Sequence, residues 1–188
     1  GDVNLFIKHT YLTMVSRAIV TVTRFPKAQR GTALYRGLID GEFFRTHNIQ
    51  NLAEPDFFSW ALGPNAESTF VDFLANVFRR LEEFDWTKLD EDLLKMLYQE
   101  LVDPADRSEL GEFYTPDWLA GLALEEIDYR EGTLLDPACG SGTFLFCAIR
   151  RLREQGLKGD KLVTHALESV IGIDVHPVAV LMAKANIL

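Results

Sequence analysis

The chain has 188 residues, 47% hydrophobic and 25% charged, the composition of a folded protein with one large or two small domains. A net charge of −9 offers little basic surface to phosphates, and no apolar run approaches the roughly 18 residues of a membrane span, so direct nucleic-acid binding by this chain and membrane insertion are both disfavoured. The start, Gly1-Asp2-Val3-Asn4, lacks the basic region of a signal peptide, and Cys139 and Cys147 are too few for a disulfide scaffold, so a cytoplasmic protein with reduced thiols is expected.

The first part reads as helical. Residues 5–22 suit a helix, although the β-branched run Ile19-Val20-Thr21-Val22-Thr23 weakens its end. Gly31, Gly37, Gly41, Pro55, Gly63 and Pro64 then cut the chain into short pieces, and Phe43, Phe44, Phe57 and Phe58 read as core. From Ser68 to Phe84, apolar residues recur at helical spacing, with Ser68 as the expected N-cap. Another helix is expected from Asp90 to Leu101, with Leu93, Leu94, Met96, Leu97 and Leu101 inward and Pro104 after its end. The basic clusters Arg79-Arg80 and Arg150-Arg151-Arg153 read as solvated helix faces.

The character changes near residue 110. Thr115-Pro116 reads as an N-cap and first helical residue, opening a helix that carries Trp118, Leu119, Leu122, Leu124 and Ile127. Residues 133–136 read as a short buried strand. Residues 142–155 read as a helix closed by Gly156 and Gly159. Asp160 is the expected cap of a helix over 161–169. Residues 170–174 read as a second buried strand, and Pro177 opens a last helix. Strands separated by helices imply a parallel sheet and an α/β fold.

Two places carry chemistry. In Leu134-Leu135-Asp136-Pro137-Ala138-Cys139-Gly140-Ser141-Gly142-Thr143, the small residues let backbone N–H groups approach a ligand, and a helix N-terminus adds partial positive charge. Tight strand–helix turns use the same residues, so the glycines alone decide little. Asp136 does more. An acid at the mouth of the loop repels phosphate and attracts an ammonium, and no lysine follows the glycines as a Walker-type site would require. In Ile171-Gly172-Ile173-Asp174-Val175, an acid ends the second strand, where α/β sites grip ribose hydroxyls; the other reading is a cap for the helix after Pro177. Beside the glycine loop the ribose reading leads, with Val175 against an adenine ring. No Cys/His cluster has metal-ligand spacing, so no metal is expected.

Asp136-Pro137-Ala138-Cys139-Gly140-Ser141-Gly142-Thr143-Phe144 resembles motif I of the amino-group DNA methyltransferases that make N6-methyladenine. Gly111-Glu112-Phe113-Tyr114-Thr115-Pro116 resembles the motif that precedes it in the gamma-type order, and Ile171-Gly172-Ile173-Asp174 resembles motif II. The likeness is strongest to modification subunits of type I restriction systems and to fused restriction–modification enzymes, and it covers roughly residues 108–188. It implies a helical N-terminal domain over 1–107. It also implies, over 108–188, the first part of a Rossmann-like domain dependent on S-adenosylmethionine, with its parallel sheet incomplete. Asp136 would hold the methionine ammonium, beside Pro137 and Ala138. Gly140, Gly142 and Thr143 would let the loop approach the cofactor. Asp174 would bind the ribose, with Val175 against adenine. Tyr114, Thr115 and Pro116 would border the methionine end, with Thr115 at its carboxylate.

The family's catalytic Asn/Asp-Pro-Pro-Tyr/Phe tetrapeptide, which binds the base flipped out of the duplex, is not in the sequence. The expectation is therefore the front of a longer enzyme, inactive alone and prone to self-association through open strand edges. The parent would meet DNA through other regions and join a specificity or restriction subunit. Two alternatives remain: methylation of a protein or RNA amino group, and a non-catalytic assembly module that binds S-adenosylmethionine.

Overall fold

A single long helix, α1 (Val3–Arg24), organises the first part of the chain in the computed structural model, which describes residues 3–49, 52, 59–86, 93–104 and 114–187. The β-branched run does not weaken its end. The helix runs through it to Arg24, and the Thr21 and Thr23 hydroxyls donate back to the Arg17 and Ile19 carbonyls at 2.8 and 2.9 Å, so the polar atoms of the run find partners within the helix itself. Most of α1 is buried, polar residues included. Short helices α2 (Thr32–Ile39) and α3 (Glu42–Thr46), a 3-10 turn (Ser59–Leu62), α4 (Glu67–Leu81) and α5 (Leu93–Leu101) follow. Phe44 is fully buried, as expected, whereas Pro55, Phe57, Phe58 and Asp90 lie outside the described residues.

Two details of the helical part differ from the sequence reading. Helix α4 begins at Glu67 with Ala66 in the cap position, so Ser68 lies in the first turn and does not cap it. On α5 the inward face carries Leu94, Lys95 and Tyr98, continued by Val102 just past its end, while Met96 is exposed. Residues 94, 98 and 102 are four apart and form one stripe; Met96 falls between its repeats.

A buried cation fastens this part together. The Arg17 guanidinium donates to the Leu38 and Ile39 carbonyls at 2.9 and 2.8 Å and to the Leu52 carbonyl at 3.3 Å. The first two are carbonyls at the end of α2, where partial negative charge collects.

The chain divides into two compact units, Gly1–Val102 and Asp103–Ile187. The expected boundary at 107–108 falls outside the described residues. The second unit is α/β: α6 (Asp117–Glu126), β1 (Leu134–Asp136), α7 (Thr143–Glu154), α8 (Gly159–Ser169), β2 (Val170–Gly172) and α9 (Pro177–Ile187). The strands pair in parallel, with Leu134 opposite Val170, Leu135 opposite Ile171 and Asp136 opposite Gly172. Helices α7 and α8 form the crossover between them. Its core joins Ala120 and Leu124 of α6 to Cys147, Ala148 and Leu152 of α7, with Leu134 and Val170 packed against them.

The strands were expected to be buried, but one face is only partly buried, through Leu134 and Val170, and the other is open. Leu135, Ile171 and Ile173 are exposed, because α7 covers the opposite face. Helix α6 also departs from its expected core: Leu124 is buried, with Ala120, while Trp118, Leu119, Leu122 and Ile127 are exposed. Helix α8 starts at Gly159 with Lys158 in the cap position, so Asp160 belongs to its first turn and does not cap it. Among the described residues no helix is long and apolar enough to cross a membrane.

Candidate functional site

The ends of β1 and β2 meet at the glycine loop. Beyond the paired strands, the Ile173 N–H donates to the Asp136 carbonyl and the Cys139 N–H to the Ile173 carbonyl, each at 2.9 Å. The loop after β1 is thereby stitched to the tip of β2. Side chains tighten the seam. The Asp174 carboxylate accepts the Gly140 N–H on Oδ2 and the His176 N–H on Oδ1, both at 2.8 Å. Asp136 Oδ1 accepts the Ala138 N–H at 3.2 Å. The two acids thus flank one short loop and each holds part of its geometry.

The glycines are there for backbone reasons. Gly140 and Gly142 have φ of +53° and +87°, a region that side-chain-bearing residues rarely adopt. At Gly142 a Cβ would also lie 3.0 Å from the Ala183 Cβ of α9. At Gly140 the nearest atom to such a Cβ is Cε1 of the Tyr114 ring, at 3.8 Å, which places Tyr114 beside the loop. Thr143 is buried in the first turn of α7. Pro137 and Ala138 are exposed. Val175 is fully exposed, one residue beyond Asp174. Thr115 is half-buried. Pro116, in extended conformation, is the cap of α6, so that helix starts one residue later than expected. Gly111, Glu112 and Phe113 lie outside the described residues.

The electrostatics are one-sided. No lysine or arginine occurs within 134–146 or 171–176. Burial pushes the Cys139 thiol up to about 11, and the neighbouring Asp174 and Asp136 carboxylates push it the same way. A thiol so placed stays protonated at neutral pH and is a poor nucleophile. The loop therefore lies between two carboxylates with no basic side chain in either segment, a setting for a ligand that carries hydroxyls and a cation and not for a polyphosphate.

Of the two readings of Asp174, the structure bears on the one that ties it to the last helix. Asp174 does brace the start of α9, through the His176 amide, while the capping nitrogen for the helix is His176 Nδ1, 3.4 Å from the Ala179 N–H. Sequence reading missed three close approaches. A Cβ on Gly172 would lie 2.5 Å from Leu145 Cδ1 and 3.0 Å from Cys139 Sγ. Ala183 fits against Gly142, and the Asn186 amide reaches the Ser141 carbonyl at 3.0 Å. The glycine and the alanine were visible as small residues; their partners lie 27 to 41 positions away.

Comparison with known proteins bears on this geometry. Residues 90–188, more than half of the chain, match the model of the family described as N-6 DNA Methylase. The chain belongs to that family. It is 36% identical over 78 residues to the type I restriction enzyme MjaIX methylase subunit of Methanocaldococcus jannaschii, covering 42% of this chain and 13% of the relative. It is 34% identical over 153 residues to the adenine-specific methyltransferase PglX of Streptomyces coelicolor, covering 78% of this chain and 12% of the relative. It is 28% identical over 118 residues to the type I restriction enzyme EcoEI methylase subunit of Escherichia coli, covering 61% and 24%. The chain thus spans less than a quarter of the length of each of these relatives.

Proposed function

We propose that the second unit is the cofactor-binding part of a Rossmann-like DNA methyltransferase that transfers a methyl group from S-adenosylmethionine to the N6 amino group of adenine. The observation that carries this reading is the glycine loop flanked by Asp136 and Asp174 and tied to the latter through the Gly140 amide at 2.8 Å. A diol-bearing ligand with an ammonium and a sulfonium matches that charge pattern; a nucleoside triphosphate does not. S-adenosylmethionine would bring the activated methyl group, bound to a sulfonium.

The residues divide the work of holding it. Asp136 pairs with the ammonium, and Pro137 and Ala138 shape the turn beside it. Gly140, Gly142 and Thr143 keep the loop close to the ligand. Asp174 accepts from the ribose hydroxyls; a carboxylate has acceptor sites to spare after binding two amides. Val175, already exposed, offers an apolar surface to adenine. Tyr114, Thr115 and Pro116 border the methionine end. Similarity to methylase subunits of restriction enzymes supports reading the parent protein as part of a restriction–modification system, working on DNA beside a specificity or restriction subunit.

Calorimetry tests the site. S-adenosylmethionine should bind and adenosine triphosphate should not. Asp174→Ala should weaken the former at least about tenfold, roughly 1.4 kcal/mol. Equal binding of the two ligands, or an unchanged affinity in the variant, would remove this site from consideration.

A further inference from the structure

The glycine loop is held from the side by the last helix. Asn186, near the end of α9, donates its amide N–H to the Ser141 carbonyl at 3.0 Å, across 45 residues of sequence. A carbonyl only accepts, so the part of the amide facing it is the NH2 and not the oxygen. Ala183, three residues earlier and on the same side of the helix, meets Gly142, where an added Cβ would come within 3.0 Å of it. The peptide between Ser141 and Gly142 is thus gripped at both ends. Its carbonyl points to Asn186, and its N–H, carried by Gly142, donates to the Cys139 carbonyl at 2.8 Å. Ser141 itself is fully buried. The grip matters because glycines on either side of Ser141 give the loop access to many backbone conformations. Pinning that peptide selects one of them.

We infer that Asn186 is a positioning residue of the candidate cofactor site: its amide fixes the Ser141–Gly142 peptide and so presets the loop that a ligand approaches. This role rests on the reading of the loop as an S-adenosylmethionine site. It differs from the roles of Asp136 and Asp174, because Asn186 acts on the ligand only through the backbone of residues 141 and 142.

The test compares the wild-type chain with Asn186→Asp, Asn186→Ala and Asn186→Gln. The first is nearly isosteric but sets an oxygen against the Ser141 carbonyl, the second deletes the donor, and the third keeps an amide. Amide hydrogen exchange without ligand is read at residues 140–143 and across β1, α7 and α9. Affinity for S-adenosylmethionine is read by calorimetry. The Asp and Ala variants should exchange about fivefold faster at the loop alone and bind about fivefold more weakly, the size that one hydrogen bond supports, with Gln recovering part of both. Unchanged loop exchange overturns the proposal. So does acceleration spread evenly over β1, α7 and α9, which means a general loss of stability. So does a loosened loop with undiminished affinity. If wild type does not bind, the cofactor reading falls and this role with it, and the exchange pattern still tells whether Asn186 holds the loop.

Discussion

Gly142 concentrates the demands made on this site. Its φ of +87° is one, and the Ala183 side chain 3.0 Å from any added Cβ is another. Gly156 makes only the first demand, with φ +107° and open space around it. The pair therefore separates strain from crowding. Gly156→Ala should cost about 1–2 kcal/mol, and Gly142→Ala about 2–4 kcal/mol, since crowding in a packed site adds to strain. Equal losses in urea titrations would show that Ala183 yields and that α9 does not press on the loop. At this scale the sequence was informative where chemistry is local. The two acids and the glycines stand within a few residues of strand ends, so spacing alone located them. Gly172, Ala183 and Asn186 make their close contacts with partners far along the chain, and no local pattern reveals those contacts.

Among the elements, α1 carries the most unusual arrangement, a charged side chain at 1% exposure in the middle of a helix. Arg17 fits there because three carbonyls converge on one planar group. Arg17→Met should keep the volume and lose about 3 kcal/mol, because the carbonyls are then buried without donors. Arg17→Lys should recover only part, since an ammonium cannot span all three. A loss below about 1 kcal/mol in Arg17→Met, measured by chemical denaturation, would mean that water replaces the guanidinium. Helical periodicity made most elements legible, with ends shifted by a few residues. What it did not reveal was which face of a short helix turns inward. On α5 the polar Lys95 is buried and the apolar Met96 is not, and on α6 the small Ala120 takes the place expected for larger neighbours. Those choices are set by what packs alongside, which hydrophobicity alone does not encode.

For the molecule as a whole, the two-stranded parallel sheet is the part with an uncovered face. Parallel strands are ordinarily covered on both faces, and here Leu135, Ile171 and Ile173 stay exposed in a row. The net charge of −9 opposes association in general, but apolar contact of this kind is short-ranged and outlasts screening by salt. The chain should therefore associate with rising concentration in sedimentation experiments, more so at high salt, and Leu135→Thr with Ile171→Thr should return it to monomer. A wild-type chain that stays monomeric at high salt would show that this face is tolerated in water. The fold class followed from alternating strands and helices. One-sided burial did not, because both strands read as continuous apolar runs.

Cys139 turns the loop into its own reporter. Its thiol lies against Gly172, is raised to about 11, and is shielded in the closed seam between the two strands. Folding favours the protonated thiol, so this group's share of stability is full below about pH 9 and fades between about 9 and about 11. Cys147 is also buried, at 2% exposure against 8% for Cys139, and sits within α7. Alkylation at neutral pH therefore reads two different clocks. If Cys139 is modified ahead of Cys147, and more slowly once S-adenosylmethionine is added, the seam opens and closes while the helix stays folded. If both react together, the loop is released only when the whole unit unfolds, and a ligand must enter a site that is already in its final shape.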